Sequence, residues 1–286
     1  MSLWKLCSLG NVVKVRAALA TGRDVNSRSA ENQTLLMLLA TQSSKNHLSI
    51  LRLMLEQPST EVNLTDDNGN TALHMATISK NIEAVKILLA DQRININCCA
   101  NSEKVTPLII AAEKADNIDI FKLLMADHRV DVNWGYRMTA LLMASACFNI
   151  EATRLLLDDP RVDVNQISSI GYSALHVASL QGNTDAARLV LELFLTNPRV
   201  DVNCRTAGPR VKSALDVALA SNNVEGVKLI LAEPRLSSLE GQKGFETVRI
   251  AVSQGNGDLL KELVYHQNID LGVKDEDGLG LDDLIR

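Results

Sequence analysis

The sequence predicts an all-α repeat protein: a solenoid of about seven to eight turn-plus-two-helix units with protruding turn or hairpin loops. Three observations carry that prediction. A hydroxyl residue able to cap a helix recurs at Thr34, Thr71, Thr106, Thr139, Ser173 and Ser213, in steps of 37, 35, 33, 34 and 40 residues. A second marker, an Asp, Glu or Asn followed by Val or Ile and then Asn, ends independently at Asn26, Asn63, Asn97, Asn133, Asn165 and Asn203. Between the markers lie paired apolar series at helical spacing, each too short to hide its apolar face alone. A rhythm of roughly 33 residues is that of stacked helix pairs that bury one another.

The stretch from Asp66 to Asn97 is the clearest unit. Asp67-Asn68-Gly69 is turn chemistry, and Thr71 is a hydroxyl N-cap before Leu73, Met75 and Ala76. A polar break at Ser79-Lys80-Asn81 opens a second helix in which Val85, Leu88 and Leu89 recur at helical spacing, and which ends before Arg93.

Two segments here resemble a known family. Thr71-Ala72-Leu73-His74-Met75-Ala76 and Ser173-Ala174-Leu175-His176-Val177-Ala178 resemble the TPLHxA box of the ankyrin repeat, and Asp163-Val164-Asn165 resembles its closing DVN. The resemblance covers nearly the whole chain. It implies a hydrogen-bonding, structural role for His74 and His176, and a non-catalytic protein-protein interaction module of the adaptor or scaffold kind. It also implies that the projecting turns and the outward positions of the first helices form the binding surface. Asparagines that close ankyrin repeats can be hydroxylated by an intracellular asparaginyl hydroxylase, which makes Asn133, Asn165 and Asn203 candidate sites; turn hydrogen bonding is the simpler role for them.

Taken in order, residues 1–26 read as an N-terminal capping repeat without the box, followed by repeats at about 27–63, 64–97, 98–133, 134–165, 166–203, 204–239 and 240–274, all within a single domain of residues 1–286. Trp4 is expected to pack on the next repeat's first helix. The second repeat carries Thr34-Leu35-Leu36 and an insertion at Ser43-Ser44-Lys45-Asn46 between its helices, which costs little because closure entropy grows slowly with length. The fourth has Thr106-Pro107-Leu108, with Pro107 at the first helical position and Ile109 in place of His. In the fifth the turn shortens to Trp134-Gly135-Tyr136-Arg137-Met138. The sixth adds Glu192-Leu193-Phe194-Leu195 to its second helix. The seventh has a long turn, Cys204 to Lys212, and Asp216 where the family has His. The eighth has lost the box to Glu246-Thr247-Val248. Residues 275–286 read as one closing helix.

Composition sets the outer bounds. Of 286 residues 46% are apolar and 22% charged, enough for a packed core. There is no membrane-length apolar run, and MSLWKLCSLGNVVKV has no apolar h-region with a cleavage site, so neither a membrane span nor a secretory signal is expected. Five cysteines without CxxC spacing point to reduced thiols and a cytoplasmic, or alternatively nuclear, setting. A net charge of -5 disfavours DNA and anionic membranes as partners, and a monomer is expected. No catalytic motif occurs, and the five histidines are widely separated. Cys98-Cys99 has no second Cys or His pair at finger-like spacing, so neither a metal nor a cofactor is expected, and one of the two thiols should be tucked in and the other outward.

The binding surface is expected around repeats four to seven. Three of the five Trp and Tyr residues, Trp134, Tyr136 and Tyr172, fall on two successive turns, and Trp, Tyr and Arg dominate interface energies. With them go Arg137, Met138, Ile170 and, on a first helix, Leu180. Arg205, Arg210 and Lys212 add basic charge suited to a partner protein or peptide with an acidic segment. The alternative is a ligand sensor that stacks a nucleotide or oligonucleotide on the aromatics and pairs its phosphates with the arginines.

Overall fold

The computed structural model is described over residues 1–101, 103–135, 137–180, 184–208, 211–237 and 242–264, with backbone alone over 242–246. It is all-α, with two compact units, Met1–Met143 and Ala144–Arg286. The first holds α1 (Leu3–Ser8), α2 (Val12–Ala20), α3 (Leu35–Ala40), α4 (Lys45–Leu55), α5 (Ala72–Ile78), α6 (Ile82–Leu89), α7 (Pro107–Glu113) and α8 (Ile118–Ala126). The division falls within α9 (Ala140–Ala146). The second unit continues with α10 (Ile150–Asp158), α11 (Ala174–Leu180), α12 (Asp185–Thr196), α13 (Ala214–Ala220), α14 (Val224–Leu231), α15 (Gln242–Ser253) and α16 (Gly257–Val264).

In the first unit the odd helices α1, α3, α5 and α7 pack in one row, and α2, α4, α6 and α8 in a second, each pair also packing internally. The core lies between the rows, where Leu35, Met37, Leu51, Leu73, Leu88 and Phe121 are fully buried. In the second unit α11, α13 and α15 form one row and α10, α12, α14 and α16 the other, closing on Phe194, Leu215 and Val227. None of these short helices reaches the length at which an isolated helix is stable, so burial against neighbours holds them.

The expected caps are present. Thr34, Thr71, Thr106 and Ser213 each accept the backbone N–H three residues on. What completes the box varies with the residue at that third position. His74 Nδ1 faces the Thr71 N–H at 3.2 Å, and its Nε2 reaches the Val105 carbonyl of the next repeat at 3.1 Å. His176 repeats this with Ser173 and the Lys212 carbonyl. Burial pushes both imidazoles below the ordinary histidine range, so each stays neutral, with an acceptor nitrogen for the cap and an N–H for the next repeat. Met37 offers only a thioether to the Thr34 N–H, and Asp216 accepts from the Ser213 N–H and hydroxyl. Ile109 is simply buried.

Closing asparagines join successive repeats. The Asn26 amide donates to Ser59 O and accepts from Glu61 N, and Asn63 and Asn97 do the same with Arg93 and Asn95, then Arg129 and Asp131. In the second unit Asn165 and Asn203 bridge to Arg199 and Asp201, then to Arg235 and Ser237. Two of the candidate hydroxylation sites, Asn165 and Asn203, therefore use both ends of their amides structurally.

A second staple comes from the arginines whose carbonyls the closing asparagines hold. Arg93 is forked on Asp91 and reaches back to the carbonyls of Leu55, Gln57 and Thr60 at the end of α4. Arg129 pairs with Asp127 and reaches Leu89 and Asp91; Arg235 pairs with Glu233 and reaches Leu195, Asn197 and Val200. Each guanidinium thus satisfies helix-end carbonyls that would otherwise lack partners, at the negative end of the helix dipole. The recurring Asp91-Gln92-Arg93, Asp127-His128-Arg129, Asp159-Pro160-Arg161, Asn197-Pro198-Arg199 and Glu233-Pro234-Arg235 is its signature in the sequence.

Three local readings change. Lys45 and Asn46 belong to α4, capped by Ser44, so the second repeat's insertion is shorter than expected. Glu246-Thr247-Val248 lies inside α15, which begins four residues earlier; Val248 and Ala251 nevertheless fill the core positions expected of Leu and Ala in the box. Cys98 and Cys99 are both half-buried, not one in and one out. Trp4 is half-buried on α1, a helix that packs on α3, and its indole Nε1 is buried without a hydrogen-bond partner. Residues 275–286, expected to close the stack, lie outside the described residues.

Candidate partner-binding site

The projecting turns are small, self-satisfied fingers. In the third repeat the Asp66 carboxylate accepts from the backbone N–H of Asn68 and Asn70 and from the Asn70 side chain. The fourth finger closes with an Ala100–Val105 bridge and is tied to the third by Asn101 N–H donating to Asn68 O at 2.7 Å. Asp67, Asn68, Asn70, Glu103 and Lys104 thus stand on a framework already bonded before any partner arrives, while Ser102 lies outside the described residues.

The fifth finger brings Trp134 back to the fourth. Its indole N–H donates to the Cys99 thiol at 2.8 Å while the side chain stays 43% exposed, so it is both tethered and available. Gly135, at φ +150, permits the shortened turn, since a Cβ there would meet Met138 O at 2.3 Å. Arg137 lies 3.5 Å from Glu103; both are more than half exposed, and the pair adds little stability. Met138 is half-buried. Tyr136 lies outside the described residues.

In the second unit the sixth finger turns through Gly171 N–H to Ser168 O at 2.8 Å and Ser168 N–H to Tyr172 O at 3.0 Å. Tyr172 is half-buried with its ring edge-on to His176, centroids 6.0 Å apart, so it supports the finger more than it projects. Ala207 N–H of the seventh finger donates to Gly171 O at 2.8 Å, and Gly171 has φ +84 with Ala207 O only 2.4 Å from where a Cβ would sit. Gly171→Ala should therefore cost about 1–2 kcal/mol from the left-handed backbone alone and part the two fingers. Faster hydrogen exchange at the Ala207 amide checks this, with Gly22→Ala, which has a positive φ but open space, as the control. An unchanged Ala207 exchange rate would refute it.

Ile170 and Arg205 are exposed, Lys212 is half-buried, and Leu180 is exposed at the end of α11. Arg210 and Gln181 lie outside the described residues. Sequence reasoning missed Ile167 and Val211, which are exposed on the same two fingers. It also missed Leu38, Met75 and Ile110, half-exposed apolar residues four places after successive capping hydroxyls. The signal was available: that register is apolar in every repeat that carries the capping hydroxyl, where a helix face turned only to solvent would be polar.

Three of the thiols are held protonated. Burial pushes the Cys7 thiol up to about 12 and raises those of Cys98 and Cys204, and thiols held protonated are weak nucleophiles. Among the described residues no group of three or more His, Cys, Asp or Glu could hold a metal ion, and no helix is long and apolar enough to cross a membrane.

The model of the family described as ankyrin repeats (3 copies) matches residues 3–100, 39–136, 108–206 and 141–242. The crystal structure of the human ASB11 ankyrin repeat domain is similar over 83% of this chain and 100% of that one, at 20% sequence identity and a TM-score of 0.63, a likeness of fold alone. A search of curated proteins returned no match. Ankyrin repeats are protein-protein interaction modules, and with matches running from residue 3 to residue 242 over helix pairs capped, bridged and fingered as described, the chain belongs to the ankyrin-repeat family.

Proposed function

We propose that this protein is a non-catalytic adaptor or scaffold that grips a protein or peptide partner on the fingers and first helices of repeats four to seven. The observation that carries the proposal is Trp134, a large aromatic left 43% exposed while its indole N–H is tethered to the Cys99 thiol. A side chain of that size on a preformed framework binds without first ordering a loop, and a buried aromatic or arginine anchor is worth on the order of 2 kcal/mol or more. In the first unit Arg137 and Met138 go with Trp134, and Tyr136 stands beside it in sequence; in the second unit the proposal takes Ile170 and Leu180 as contacts with Tyr172 supporting them, and Arg205, Arg210 and Lys212 favour an acidic partner segment. A cytoplasmic monomer is the setting this reading assumes.

The test is the doublet Trp134→Ala with Tyr136→Ala. The melting transition should stay within a few degrees of wild type, because an exposed residue contributes little to the core, while partners captured and identified with the wild type should be lost. Equal capture by both proteins would remove this surface as the binding site.

A further inference from the structure

Fingers six and seven have a surface chemistry of their own, contained within one unit. Their backbones are joined by the Ala207-to-Gly171 hydrogen bond, and Gly171 is the residue that lets them approach so closely. Three aliphatic side chains stand out from them: Ile167, Ile170 and Val211, exposed by 42%, 44% and 53%. Isolated exposed aliphatics are common, but three on two backbone-bonded turns leave apolar area uncovered on both. Every charged side chain among the described residues of these fingers, 166–172, 204–208 and 211–213, is basic, namely Arg205 and Lys212. Fingers four and five differ: there Arg137 meets Glu103, and Lys104 stands beside the same carboxylate in sequence.

No carboxylate stands on the described residues of these fingers, and Asp216 at the base of the seventh is held by the Ser213 N–H and hydroxyl, so Arg205 and Lys212 present positive charge that an acidic group would fill, while the aliphatic tips supply area whose burial is favourable. We infer that fingers six and seven bind an acidic linear segment carrying aliphatic side chains, a refinement that rests on the interaction reading and names its partner chemistry. The aliphatic groups cover Ile167, Ile170 and Val211, and the carboxylates sit toward Arg205 and Lys212. The charged part of this contact is solvent-exposed and screened by salt, so attraction falls as ionic strength rises while the aliphatic part persists.

A random linear-peptide display library panned against the full chain tests this. Enriched peptides should combine Asp or Glu with Leu, Ile or Val, and should bind at least ~10-fold more weakly in 0.5 M salt than in 0.05 M. Arg205→Glu with Lys212→Glu should lower their affinity by at least ~10-fold at low salt, and Ile170→Ser with Val211→Ser should do so at both salt concentrations. Both doublets change exposed or half-buried tips, and unchanged circular dichroism confirms that they fold. Enrichment of basic or purely polar peptides, no enrichment, or peptides indifferent to both doublets would overturn the inference. Peptides that depend on Trp134 but not on Arg205 and Lys212 would sink this refinement and leave the interaction reading standing. Peptides indifferent to the Trp134 doublet as well would sink both.

Discussion

Leu73→Ala should destabilise the protein by roughly 2–5 kcal/mol, the range for truncating a buried leucine when the surrounding structure relaxes only partly. Leu73 is 1% exposed on α5, and α5 packs against α3, α6 and α7, so the cavity opens where three neighbours converge. Because each repeat touches only its neighbours, the loss is local. Unfolding in denaturant should broaden or split, with exchange at α5 amides accelerated more than at α13 amides. A single sharp transition displaced without broadening, and protection lost uniformly, would contradict the nearest-neighbour picture. A change below about 0.5 kcal/mol would contradict the assigned core itself.

The second large effect is expected at Arg129→Ala. Its guanidinium is mostly buried, forked on Asp127, and donates to Leu89 and Asp91 carbonyls at the end of α6. Charge-assisted hydrogen bonds contribute about 1.5–3 kcal/mol each when their partners are left unsatisfied, and water repairs part of the loss, so roughly 2–4 kcal/mol is expected in all. Arg129→Lys should recover less than half, because an ammonium cannot serve a carboxylate fork and separate carbonyls at once. Arg129 also holds the Asp127 carboxyl below its ordinary range, chiefly through that hydrogen bond. A depressed carboxyl contributes stability above its unfolded pKa and loses it as pH falls through the folded value. Acid titration of stability should therefore be shallower in Arg129→Ala than in the wild type. Full recovery by lysine would show that charge alone, without the fork, is what matters.

Much of this fold was legible in the residues. Thr71, with His74 three places on, is a local cap whose partners lie within one turn, so spacing alone could find it. The buried Leu73 and Ala76 follow from period, and the Asp-Val-Asn markers set where each repeat ends. Arg129 recurs in a visible triplet, but what it staples could not be read, because its carbonyl partners lie 35 to 40 residues back and the pattern does not say which helix end a long side chain will reach. The candidate site was legible in part. Trp134 was found from its rarity, but its bond to Cys99 spans 35 residues. Ile167 and Val211 sit in turns with no local pattern to mark them, and the structure shows them uncovered.

What the sequence determined by itself is the repeat: its period, its caps, its apolar faces and its family, all set by contacts a few residues apart and reinforced by repetition. What only the tertiary structure decided is which side chains are spent on joining one repeat to the next and which are left over. That choice depends on distances between segments about 30 to 40 residues apart. A one-dimensional pattern does not contain those distances, because the same Arg or Trp fits equally well folded back onto a neighbour or reaching into solvent.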